Sequence, residues 1–109
     1  MEDKVVSTEL LKKLEYKTNY DSFTDFYDTN KSEIYNTIVE IFDEFRKTNK
    51  IVLSFSVEST IGGLLWSSDF TFSKDQAFVL KRDILPYFEQ NEDYEACAKI
   101  IELSKELIS

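Results

Sequence analysis

The only two glycines of this chain are adjacent, Gly62 and Gly63, and on both sides of them the sequence alternates with a period of two. Before the pair, Ile51, Leu53, Phe55 and Val57 interleave with Val52, Ser54, Ser56 and Glu58; after it, Leu64, Trp66, Ser68, Phe70 and Phe72 interleave with Leu65, Ser67, Asp69 and Thr71. Successive side chains of a strand point to opposite faces, so each run describes a half-buried strand. Glycine reaches positive φ without steric cost, so Ser59–Gly63 reads as the bend and residues 51–72 as an antiparallel β-hairpin. Two strands alone are marginal in water, so helices must cover one face.

Four segments carry a helical period. Leu10, Leu11 and Leu14 behind the hydroxyls Ser7 and Thr8 predict a short helix over 8–16. Asn30 stands three residues ahead of Glu33, and Ile34, Ile38, Ile41 and Phe45 follow, which predicts a helix over 31–48. Its other face carries Glu33, Thr37, Glu40, Asp43, Glu44 and Lys47. Ser73 and Gln76 have capping-box spacing ahead of Ala77, Leu80 and Ile84, predicting a helix over 74–90 that Pro86 kinks or ends. Asn91-Glu92-Asp93 puts acids at the positive end of a last helix over 92–108, with Tyr94, Cys97, Ala98, Ile101, Leu103 and Leu107 as its buried candidates. Residues 17–29 read as a connector that buries some of Tyr20, Phe23, Phe26 and Tyr27. A chain of 109 residues supports one core. The expectation is a single α+β domain over 1–109: a two-stranded antiparallel hairpin (about 51–72) covered by helices at about 8–16, 31–48, 74–90 and 92–108.

Charge narrows the partners. Lys and Arg number 13 against 21 Asp and Glu, a net −8. Residues 18–45 hold seven acids and only Lys31 as a base, and residues 83–109 hold seven acids and two bases, whereas 46–82 is mildly positive. This sign repels nucleic acid and anionic membrane, so neither is an expected partner; a basic protein is. No stretch approaches the roughly 20 apolar residues of a membrane span, and the opening Met-Glu-Asp-Lys-Val-Val is unlike a secretory leader. With one cysteine, Cys97, the expected location is the cytoplasm. Eleven lysines to two arginines, with abundant Ile, Asn, Tyr and Phe, fit an AT-rich genome such as that of a low-GC bacterium or a phage.

Catalytic chemistry is then reduced by elimination. The chain has no histidine, which removes Ser-His, Cys-His and histidine-ligated metal arrangements. Gly62-Gly63 has no following Lys-Ser or Lys-Thr to cradle a phosphate. Asp21, Asp25 and Asp28 lack the alternating oxygen ligands and central glycine of a calcium loop. Cys97 falls on an apolar stripe and reads as packing. No cofactor and no metal are expected, and the chain is read as not an enzyme.

What remains is a docking surface. Phe23, Asp25, Phe26, Tyr27 and Asp28 form an aromatic-acidic segment; Glu40, Asp43 and Glu44 lie on the polar face of the helix over 31–48; Glu89, Glu92 and Asp93 surround the last turn. Trp66 packs with Phe70 and Phe72 or, with Ile61 and Leu64, anchors a partner near the hairpin tip. The run Glu92-Asp93-Tyr94-Glu95-Ala96-Cys97-Ala98-Lys99-Ile100 resembles the centre of the helical-hairpin motif shared by the UvrB and UvrC repair proteins, a likeness that extends over residues 85–107. The resemblance implies a helix pair used for protein contact rather than catalysis.

The functional expectation is a noncatalytic acidic interaction module, a small inhibitor, immunity-type or adaptor protein, docking on a basic partner. The alternatives are a small enzyme or ligand-binding domain using carboxylates and tyrosines, or a structural subunit of a larger assembly. The last of these predicts a free apolar hairpin edge or a homodimer.

Overall fold

The computed structural model describes residues 9–108. The elements in chain order are β1 (Glu9–Tyr20), α1 (Phe23–Lys47), β2 (Val52–Ile61), β3 (Leu64–Ser73), a 3₁₀ turn (Lys74–Gln76), a π-helical turn (Leu80–Ile84), α2 (Leu85–Gln90) and α3 (Tyr94–Leu107). The expected hairpin is there, with β2 and β3 pairing antiparallel from Val52↔Ser73 to Ile61↔Leu64. It is not a two-stranded sheet, however. β1 pairs in parallel with β2, giving a three-stranded mixed sheet in the order β1-β2-β3. Parallel neighbours need a crossover, and α1 is that crossover.

The expected helix over 8–16 is therefore a strand, apart from residue 8 and the Ser7-Thr8 cap, which lie outside the described residues. Leu10, Leu11 and Leu14 have helical spacing, but the strand turns Leu11 and Leu14 inward through a bulge and leaves Leu10 52% exposed. Leu10 pairs with Ser54 and Lys12 with Phe55, so Leu11 is the extra residue and packs against the core. Downstream, Leu14 and Tyr20 point inward and are buried, while Lys13, Glu15 and Lys17 face solvent.

α1 begins eight residues earlier than expected. Ser22 is its N-cap, its Oγ accepting the Asp25 N–H at 3.1 Å. Asn30 is thus no cap: in mid-helix its Nδ2 donates to the Phe26 carbonyl at 2.9 Å and to Tyr20 Oη at 3.1 Å. Phe26, Ile34, Ile41, Phe42 and Phe45 are buried against Leu53, Phe55 and Val57 of β2 in one core.

The helix expected over 74–90 breaks into three pieces. Ser73 N–H donates to Gln76 Oε1 at 2.8 Å, as the capping box predicts, yet it starts only a 3₁₀ turn. Pro86 has no N–H to give to the turn before it, and it sits in the first turn of α2 where none is needed. The preceding five residues widen into the π turn. α2 ends in a Schellman arrangement: Asp93 N–H reaches the Phe88 carbonyl at 3.0 Å and Glu92 N–H the Glu89 carbonyl at 3.1 Å, with Glu92 left-handed at φ 57°. Asp93 then caps α3, its Oδ1 accepting the Ala96 N–H at 3.2 Å.

The Cα envelope, 44 × 43 × 17 Å, has the thickness of two layers. The residues that project from the other side of the sheet are mostly polar, Lys13 and Glu15, Ser56 and Glu58, Ser67 and Asp69, with the exposed Leu10 and Leu65 as apolar exceptions. No helix among the described residues is long and apolar enough to cross a membrane.

Candidate functional site

The end of β1, the first turn of α1 and the β2–β3 turn are tied together at one end of the sheet. Gly62 N–H donates to the Tyr20 carbonyl at 2.7 Å, and Gly63 N–H to Asn19 Oδ1 at 3.0 Å. Both glycines have positive φ, 61° and 82°, the requirement of a two-residue type I′ hairpin turn. Next to this junction stands Phe23, 48% exposed on the first position of α1. Its ring meets Trp66 edge-on at 5.3 Å and stacks on Tyr27 at 6.3 Å, with Phe26 at 5.9 Å. Trp66 is half-buried and also contacts Phe26 at 5.5 Å, so it is the support of Phe23 rather than a free anchor. Phe26 itself belongs to the core, 1% exposed.

Asp21, Asp25 and Asp28 are exposed along the same stretch, with no ion-pair partner among the described residues. The one base of this segment is engaged elsewhere. Lys31 Nζ lies over the rings of Tyr27, Tyr35 and Tyr87 at 5.5, 5.7 and 5.6 Å, a cation–π contact that holds the ammonium away from the aspartates. Tyr27 Oη and Tyr35 Oη are hydrogen-bonded at 3.1 Å. Burial, reinforced by the Tyr35 hydroxyl, pushes the Tyr27 phenol well above its ordinary range. Among the described residues no three acidic or thiol side chains, Asp21, Asp25 and Asp28 included, converge as a metal ion would require.

The remaining acids divide into neutralised and open groups. Glu40 pairs with Lys12 at 3.4 Å, and Glu33 accepts the Tyr16 hydroxyl at 2.6 Å. Asp43 is nearly buried and takes three cations, Arg46 at 2.5 Å and Lys47 and Lys99 each at 3.2 Å. Burial pushes its carboxyl up, but the hydrogen bonds from Lys99, Lys47 and Arg46 outweigh that and hold it below the usual carboxylate range. Asp43 is a structural clamp between α1 and α3, not a surface group. Glu44 is half-buried. Glu89, Glu92 and Asp93 are exposed at the α2–α3 turn. Cys97 is buried; that burial, with Glu89 and Asp93 nearby, raises its thiol.

Sequence reading names Phe23, Asp25, Tyr27 and Asp28 as one segment and Trp66 separately on the hairpin; the structure brings Trp66 against Phe23, and the reading overlooks the local cation, Lys31, with Tyr35 and Tyr87, which gather it. The tyrosines give little warning, since Tyr27 and Tyr35 are two helical turns apart and Tyr87 is distant in sequence. Leu65 is also overlooked, although it is the one apolar residue among the outward positions Leu65, Ser67, Asp69 and Thr71; it is 74% exposed, as is Leu64. Comparison of the chain with protein-family models, with curated proteins and with solved structures finds no match.

Proposed function

We propose that this chain is a noncatalytic interaction module, of the inhibitor, immunity-type or adaptor kind, which docks on a basic protein surface through the first turns of α1. The observation that carries this reading is a half-exposed aromatic ring held in place by three others and flanked by aspartates whose local cation is diverted. Phe23 is ordered before any partner arrives, so little rotamer entropy is lost on binding. Asp21, Asp25 and Asp28 supply a field that accelerates encounter with a basic patch. A reducing cytoplasm suits the buried thiol of Cys97.

The test is affinity capture from the native host, at low and high salt, with three baits: the natural chain, a Phe23→Ser/Asp25→Asn/Asp28→Asn variant, and a Glu89→Gln/Glu92→Gln variant. A basic protein retained at low salt by the first and third baits, and lost from the second, supports the reading. Retention that ignores the α1 substitutions, or no reproducible partner under either condition, refutes it.

A further inference from the structure

The two edges of the sheet are built differently. β1 carries five charges, Glu9, Lys12, Lys13, Glu15 and Lys17, and its pairing with β2 shifts register twice. Charges and bulges are the usual means of blocking an edge from further pairing. β3 has neither: Asp69 is its one charge, it contains no proline, and its ten pairs with β2 run without a shift.

Hydrogen-bonded and non-hydrogen-bonded pairs alternate in an antiparallel ladder, and the pair closing a two-residue turn is of the first kind. Ile61↔Leu64 closes the turn, so the even residues of β3 bond to β2. Leu65, Ser67, Asp69 and Thr71 therefore aim their N–H and C=O groups at the open edge, and all four are exposed. Beside that edge lies a groove of about 390 Å³, lined by Tyr27, Tyr35, Ile38, Phe72, Val79 and Ile84 together with the ion pair Arg82–Asp83. Phe72 is the one sheet residue that lines it and β2 contributes none, so the groove opens on the outer side of β3.

We propose that a second copy of this chain pairs antiparallel with β3, edge to edge, about a two-fold axis through Ser68. This register is the one that uses all four outward residues, setting Leu65 opposite the partner's Thr71 and Ser67 opposite the partner's Asp69. It keeps Asp69 from facing its own copy, as a register centred one residue later would not. On the helix-covered face Trp66 meets the partner's Phe70 and Leu64 meets the partner's Phe72, so each Leu64, 74% exposed in the single chain, enters the groove of the other copy. Self-complementary contacts of this kind are what a closed two-fold interface demands.

Two chains of charge −8 repel each other, so salt tightens this dimer, the opposite of its effect on docking to a basic protein. The test is analytical ultracentrifugation of the full chain across salt concentrations, with oxidative cross-linking of single-cysteine reporters. Expected are twice the 12.8 kDa chain mass, tighter association at high salt, and at least tenfold weaker association in Leu64→Ser. Ser67→Pro removes an outward N–H and gives monomers. Leu65→Lys/Thr71→Lys, which sets lysine against lysine without touching the ladder to β2, gives monomers as well should the proline variant not fold. A Ser68→Cys/Cys97→Ser chain forms a disulfide dimer, since residues opposed across the axis come within bonding range, and Ser67→Cys/Cys97→Ser does not. A chain that stays monomeric into the millimolar range at high salt, a dimer indifferent to the lysine pair, or equal cross-linking at 67 and 68 overturns the proposal.

Discussion

Replacing Asp43 with asparagine keeps its volume and removes its charge from between three cations. The side chain is 12% exposed, while those of Arg46, Lys47 and Lys99 are 24%, 61% and 45% exposed. The carboxylate therefore has little water to return to, whereas the cations do. A fully buried pair broken on one side costs about 3–5 kcal/mol, and hydrogen bonds to a charged group are worth about 1.5–3 kcal/mol. Because the abandoned cations here can rehydrate, Asp43→Asn is expected to cost about 2 kcal/mol. In a domain of this size that lowers Tm by about 8–16 °C. Urea unfolding followed by the fluorescence of Trp66, the single tryptophan, measures it directly. The pH dependence gives a second signature. A carboxyl held below its unfolded value contributes stability above about pH 4 and loses it as the pH falls toward the folded value, so the gap between wild type and variant closes in acid. Glu102→Gln, which removes a pair at 3.5 Å from a 64% exposed carboxylate, serves as control and is expected to cost about 0.5 kcal/mol or less. A penalty for Asp43→Asn as small as the control's, or one unchanged from neutral pH to pH 3, would refute the account of Asp43 as the α1–α3 clamp.

Three further outcomes are expected. Glu92→Gly relieves a non-glycine residue at φ 57° and should stabilise the chain by about 0.5–1 kcal/mol in the same urea assay, with destabilisation counting against the Schellman reading. Phe55→Ala empties the centre of the core, where Phe55 is 0% exposed and stacks on Phe70 at 5.2 Å; a loss of about 3–5 kcal/mol by calorimetry is expected, and one below about 1 kcal/mol contradicts that placement. Burial, aided by Glu33 for Tyr16 and by Tyr35 for Tyr27, raises both phenols, so their protonated forms stabilise the fold and that stability drains away as pH climbs past about 10. Ultraviolet titration should show two of the six tyrosines ionising only as the chain unfolds; six ionising together before unfolding would show the phenols to be ordinary.

The hairpin was legible because alternation over ten residues has one physical meaning and the glycine pair marks the turn. The helix over 31–48 was legible in its second half, where Ile34, Ile41 and Phe45 are indeed core, but its true start at Ser22 was hidden. Asn30-x-x-Glu33 and Ser22-x-x-Asp25 are both plausible caps, and the choice depends on Phe26 having a core to enter. β1 was unreadable for a related reason: of three leucines with helical spacing a bulged strand still buries or packs two, Leu11 and Leu14, and only the need of β2 for a second neighbour decides between helix and strand. Local pattern specifies a residue's burial better than the partner that buries it. The same limit explains the docking surface, where Phe23, Asp25 and Asp28 could be picked out by type but Asp43, equally acidic on paper, turns inward because cations from α1 and α3 converge on it.

The parallel pairing of β1 with β2 fixes the order in which this sheet can assemble. Contacts across the hairpin begin three residues apart at Ile61↔Leu64, whereas every β1–β2 pair spans 41 to 44 residues. Closing the longer loop costs roughly 2 kcal/mol more, at about 0.6 kcal/mol for each doubling of length. The two C-terminal strands therefore zip while β1 is still searching, and the N-terminal strand joins last, after α1 has brought it within reach. Pulse-labelled amide exchange that protected β1 ahead of β3 would contradict this sequence of events.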